Sequence, residues 1–203
     1  MKNEVDGRRE IASRNTAWAN IIARKLTHWG VTPNQISMMS VFFAMVGCLL
    51  LIGTVIYPGF NKYVAYILFI VCMQSRLLCN LFDGMVAIEG GKKSANGDLY
   101  NDMPDRFADA LFIIPVGYVA GGFGIELGWL AALLAVMTAY FRWIGAYKTH
   151  QHFFNGPMAK QHRMALLTLT FVVATCIIYS GYDRMVCFIA LIIINIGLIA
   201  TLI

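Results

Sequence analysis

Arg76, Asn80, Asp83 and Ala87 are spaced by four, three and four residues, and Asn101, Asp105 and Asp109 follow at intervals of four. Offsets of three and four fall on one face of an α-helix, so the sequence predicts two polar stripes. Between them runs "IEGGKKSANGD" (residues 88–98), a glycine-containing connector too polar to remain in hydrocarbon. So short a link puts the stripes at one depth and lets them face each other. Six of the chain's 11 carboxylates lie in residues 80–110. Opposed like charges repel, and a divalent cation between them removes the conflict. All-oxygen donors suit Mg²⁺, Mn²⁺ or Ca²⁺, and Mg²⁺ often pairs one or two carboxylates with substrate phosphates. The competing reading is an interfacial salt-bridge cluster with Arg76 and Arg106 as the cationic partners.

The elements that position these residues are set by composition. The chain of 203 residues is 59% hydrophobic and 13% charged, about half the charge of an average soluble domain. A membrane-spanning helix needs roughly 20 predominantly apolar residues. Six such segments are predicted, at 36–57, 63–87, 103–121, 125–147, 164–181 and 184–203. Backbone polar groups in lipid must pair within their own segment, so the fold class is all-α, a six-transmembrane-helix bundle. An Asp at mid-helix in the membrane costs about 2.5–3.5 kcal/mol; the carboxylates here gather at the ends of the second and third spans, where the cost is smaller. That placement argues against an ion or solute carrier, which needs charge near mid-membrane on several helices.

Basic residues set the orientation. Six precede the first span, and Lys92, Lys93, Lys148, Lys160 and Arg163 fall in loops on the same side, against Lys62 and Arg184 opposite. Both termini are therefore expected in the cytoplasm of a multi-pass protein of the cell (inner) membrane, with the polar stripes at the cytoplasmic face. The same asymmetry accounts for the net charge of +5. No nucleic-acid partner is expected, because no basic face belongs to a soluble domain. Residues 1–14 read as a polar tail without the features of a cleavable signal. "NTAWANIIARKLTHW" (15–29) reads as an N-terminal amphipathic helix lying in the membrane interface, with Gly30 ending it. The division is thus 1–30, tail and juxtamembrane helix, and 31–203, membrane domain. The five cysteines lie in predicted spans without metal-ligand spacing, and His150 and His152 lack a third ligand nearby. No internal repeat of an inverted-repeat transporter is visible.

The stripe residues and their connector resemble the signature of the CDP-alcohol phosphotransferase family, D-x2-D-G-x2-A-R-x8-G-x3-D-x3-D. This chain reads Asn80-x2-Asp83-Gly84-x2-Ala87-Ile88-x8-Gly97-x3-Asn101-x3-Asp105. "GVTPNQIS" (30–37), "AYFRWIGA" (139–146) and "GPMAKQHRMAL" (156–166) are similar to the segments that open the family's first span, lie in its fourth and open its fifth. The resemblance covers about residues 30–166.

The resemblance implies transfer of a phosphatidyl or related phospho-alcohol group from a CDP-alcohol, usually CDP-diacylglycerol, to an acceptor alcohol, with release of CMP in phospholipid biosynthesis. It implies a divalent-metal-dependent homodimer among membrane lipids. Carried over by position, Asn80, Asp83, Asn101 and Asp105 stand at the metal-ligand positions, for one or two Mg²⁺ or Mn²⁺ ions. Asp105 is also the catalytic base. Gly84, Ala87 and Gly97 leave room for the cytidine nucleotide beside Asp83. Such chemistry is reasonable on general grounds: metal ions polarise a phosphoryl group and stabilise its leaving group, and a carboxylate takes the attacking hydroxyl's proton.

Two signature aspartates are asparagine here and the signature arginine is Ile88. Formal charge at the four ligand positions falls from −4 to −2, which lowers metal affinity. Arg76, one turn before Asn80, is the candidate to replace the missing arginine at the nucleotide's diphosphate. Arg142, Lys160 and Arg163 are candidates for an acceptor that carries phosphate. The alternative function is a non-catalytic member that binds a CDP-lipid or metal without turnover.

Overall fold

The computed structural model describes residues 16–89, 97–149 and 156–203. The predicted tail, most of the connector after Glu89, and His150 and His152 lie outside the described residues. Among those described, the chain forms seven α-helices and a short 3-10 turn, and no strand. They are α1 (Ala17–His28), α2 (Pro33–Ile56), α3 (Lys62–Glu89), α4 (Gly97–Ala120), α5 (Gly124–Thr149), α6 (Lys160–Cys176) and α7 (Asp183–Leu202), with Ile178–Ser180 the 3-10 turn. The all-helical expectation holds. Among the described residues, four helices are long and apolar enough to cross a membrane: Pro33–Ile56, Lys62–Ile88, Gly124–Gly145 and Asp183–Leu202. The predicted third and fifth spans correspond to α4, whose first half is charged, and to α6, which has 17 residues.

Local chemistry explains the boundaries. Thr32 caps α2: its hydroxyl accepts from the Gln35 N–H at 3.3 Å, and the Gln35 side chain accepts from the Thr32 N–H at 2.9 Å. Pro33 occupies the first helical position, where no N–H is required. α4 starts six residues earlier than the predicted span, so Pro104 is interior to the helix and Asn101 belongs to it. Lacking an N–H, Pro104 leaves the Tyr100 carbonyl without its helical donor. α4 and α5 form a hairpin through Gly121 and Gly122, both at positive φ (73° and 50°). Just before the turn, a Cβ on Gly117 would lie 2.5 Å from the Gly124 carbonyl oxygen. Close backbone approach of this kind is how helices associate in lipid, where burying apolar surface gains little.

Two clusters organise the interior. In the larger, Tyr66 and Phe69 of α3 meet Phe112 of α4 and Phe171 of α6, with ring centroids 4.5–5.5 Å apart. It binds together the three helices that carry the polar residues. In the smaller, Ala19 and Ala23 of α1 pack against Leu81, Phe82, Met85 and Val86 of α3. α1 thus lies along the carboxyl-terminal part of α3, on its small residues, while Trp18, Ile21, Ile22 and Trp29 are exposed.

Candidate functional site

The two polar stripes converge, and α6 closes on them. Arg76 of α3 is completely buried. Its Nη2 donates to Asp109 Oδ1 of α4 at 2.8 Å, to Asp105 Oδ1 at 3.2 Å and to the Asp105 carbonyl at 3.4 Å. Asp109 is also buried, and its second oxygen accepts from Arg163 Nη2 of α6 at 2.7 Å. Arg163 Nη1 donates to the Met158 carbonyl at 2.9 Å, just before α6 begins. Lys160, the first residue of α6, pairs its ammonium with Asp105 Oδ2. The outcome is a chain of alternating charge, Lys160–Asp105–Arg76–Asp109–Arg163, crossing three helices.

Asp83 stands beside this chain. It is 4% exposed, accepts from Ser37 Oγ of α2 at 3.1 Å, and lies within electrostatic reach of Asp105 and Lys160. Three cations meet two carboxylates in this network, and pairing matters there because an unpaired buried charge costs several kcal/mol.

Of the residues singled out from sequence, Arg76, Asp105, Lys160 and Arg163 meet in one network, with Asp83 next to it. Gly84 is buried on the same helix end, and Asn80 and Ala87 are half-buried there. Gly97 and Asn101 belong to the first turns of α4, and Arg142 is half-buried on α5. Arg163 and Arg76 each engage carboxylates through Nη2, while Arg76 Nε and Nη1 and Arg163 Nε are buried without a hydrogen-bond partner. The salt-bridge reading holds for Arg76, which pairs with both Asp105 and Asp109.

Two residues of the site had no role in the sequence reading. Asp109 was visible as the third member of its stripe, but its part as a bridge needs Arg163, 54 residues on. Ser37 has no such signal, since 46 residues separate it from Asp83.

The donors are hard oxygens. Asp83 and Asp105, which lie within electrostatic reach of each other, offer carboxylate oxygens of the kind that Mg²⁺ and Mn²⁺ prefer. Among the described residues, no group of three or more His, Cys, Asp or Glu is placed to hold a metal.

No protein-family model and no curated protein sequence matches the chain. Solved structures do. The chain is similar to Mycobacterium tuberculosis phosphatidylinositol phosphate synthase (PgsA1) with CDP-DAG bound, at a TM-score of 0.71 and 14% identity, over 92% of this chain and 90% of that one. It is equally similar to the same synthase in complex with manganese and citrate, at a TM-score of 0.71 and 14% identity, over 91% and 85%. The fold is that of the synthase. At this identity the likeness is one of backbone architecture, and it extends across nearly the whole of both chains, so the PgsA1 fold includes the helices that carry the charged network.

Proposed function

We propose that this chain transfers a phosphatidyl or related phospho-alcohol group from a CDP-alcohol, of which CDP-diacylglycerol is the leading candidate, to an acceptor alcohol and releases CMP. One observation carries the reading. The signature residues Asp83, Gly84, Ala87, Gly97 and Asp105 lie on two consecutive helices of a fold shared with an enzyme that has CDP-DAG bound. We read α2 to α7 as six spans with both termini cytoplasmic, in the cell membrane, and the protein as a homodimer. The exposed Trp18, Ile21, Ile22 and Trp29 suit α1 to the lipid headgroup layer, where aromatic and aliphatic side chains insert.

Asp83, Asp105 and the amides of Asn80 and Asn101 would hold a Mg²⁺ or Mn²⁺ ion, which would supply positive charge to the diphosphate and to the CMP leaving group. The chain's own residues do the rest. Ser37 holds the Asp83 carboxylate in place through its 3.1 Å hydrogen bond. Gly84 and Ala87 keep the α3 surface low, so that a nucleotide can lie against it. Arg76 has two buried donors, Nε and Nη1, without a hydrogen-bond partner. Buried orphan donors cost about 1–3 kcal/mol each, and phosphate oxygens satisfy them, in place of the arginine missing at Ile88. Asp105 accepts the proton of the acceptor hydroxyl as its oxygen attacks phosphorus and the bond to the CMP oxygen breaks. Arg163 and Arg142 are proposed to serve an acceptor that carries phosphate, and Lys160 the phosphate of either substrate. Work at a membrane boundary is required, because the lipid product stays in the bilayer while CMP must reach water.

Purified protein incubated with radiolabelled CDP-diacylglycerol, Mg²⁺ or Mn²⁺, and a panel of alcohols is expected to release CMP, and Asp105→Asn is expected to abolish the release. A second reading, a non-catalytic binder of CDP-lipid, draws on the double occupation of Asp105 by Arg76 and Lys160. Nucleotide binding without CMP release under every acceptor would establish that reading instead.

A further inference from the structure

Both oxygens of Asp105 are held by cations, and the two cations are held very differently. Arg76 is fully buried and anchored by Asp109 at 2.8 Å. It cannot leave without stranding a second carboxylate. Lys160 sits at the first position of α6, on a flexible four-carbon stem, with its side chain 21% exposed. Asp105 is the partner its ammonium pairs with. An ammonium of this kind exchanges one oxyanion for another at little cost, and a phosphate offers it a stronger charge-assisted partner than a carboxylate does.

We propose that Lys160 is a latch on Asp105. Without ligand, its ammonium neutralises the carboxylate and stands where a dication would need to approach. A phosphate-bearing ligand entering between α3, α4 and α6 draws Lys160 onto its own oxygens and frees Asp105 Oδ2 for the metal ion and for the acceptor's proton. Nucleotide phosphate and metal therefore bind in concert, with little metal held beforehand. The asparagines at positions 80 and 101 fit this order: they leave too little negative charge to retain a resident dication, and an internal ammonium supplies the compensation. The inference rests on the proposed phosphate- and metal-binding reading and adds to it the residue that controls access.

The test measures Mn²⁺ binding to the purified full chain by the electron paramagnetic resonance signal of free Mn²⁺, with and without saturating CDP. Wild type is expected to bind Mn²⁺ weakly alone and much more tightly with CDP. Lys160→Met removes a positive charge from beside the carboxylate and is expected to tighten nucleotide-free Mn²⁺ binding about 10-fold, and to shrink the gain from CDP by the same factor. Lys160→Gln, which keeps a donor but no charge, should match it, and Lys160→Arg should behave as wild type. Thermal unfolding of each variant confirms that it is folded. Neutral variants that bind Mn²⁺ no more tightly than wild type, with the CDP effect intact, overturn the latch: the coupling would then come from the nucleotide's phosphates alone. Absence of Mn²⁺ binding by wild type even with CDP overturns the metal-dependent reading itself, and the latch with it.

Discussion

Arg76 and Asp109 form an ion pair of 2.8 Å in which the side chains are 0% and 3% exposed. The pair does more than link α3 to α4. Asp109 also receives Arg163, so one carboxylate fixes two arginines from two helices. Removing one partner of a buried ion pair costs about 3–5 kcal/mol. Asp109→Ala is therefore expected to lower the free energy of unfolding by that order, and the loss should exceed that of Asp105→Asn, because the Asp105 side chain is less deeply buried. Unfolding in mixed detergent, followed by circular dichroism, measures both.

Asn80→Asp and Asn101→Asp restore the charge that the signature positions lack. The double variant is expected to reach half-maximal metal binding at roughly 10-fold lower Mn²⁺, equivalent to about 1.4 kcal/mol. The experiment is a Mn²⁺ titration of the purified protein. An unchanged titration would show that these side chains do not face the ion.

Ser37 is proposed to act through Asp83, to whose carboxylate it donates. Loss of its hydroxyl removes one hydrogen bond to a carboxylate, worth about 1.5–3 kcal/mol. Ser37→Ala is expected to raise the metal concentration needed for half-maximal CMP release while leaving the rate at saturating metal within a few-fold. Ser37→Thr, which keeps the hydroxyl, should restore the wild-type requirement. A merely structural serine would lower stability without moving the metal dependence.

Gly117 has no space for a side chain, because a Cβ there would meet a backbone carbonyl oxygen at 2.5 Å. Overpacking of this kind costs about 1–3 kcal/mol. Gly117→Ala is expected to lower the thermal unfolding midpoint and, because α4 carries Asp105 and Asp109, to reduce CMP release as well. Gly145→Ala is the control, since nothing lies within 4 Å of a Cβ at that position.

The helices and the two stripes were legible in the sequence because each rests on a local rule. Apolar length marks a long helix, and offsets of three and four mark a face. Arg76, Asp83 and Asp105 could be placed together because the connector between their helices is short. What the rules could not reach was contact between distant segments. Lys160 and Arg163 read as loop cations that set topology or hold phosphate, and only packing of α6 onto α3 and α4 turns them toward Asp105 and Asp109. Ser37 belongs to the segment "GVTPNQIS", whose resemblance was legible, yet its bond to Asp83 depends on how α2 crosses α3. The predicted span 103–121 marks the apolar part of α4, whose charged first turns begin at Gly97.

The last turn of α7 folds back to this same end of the bundle. Thr201 Oγ1 accepts from the Met158 N–H at 3.1 Å, and the Thr201 side chain lies under Gly156, where any added Cβ would strike it. The segment that launches Lys160 and Arg163 is therefore braced from below by residues more than forty positions away. A fusion partner or affinity handle attached after residue 203 would bear on that brace, so such protein can look well folded while its lysine is held at the wrong angle.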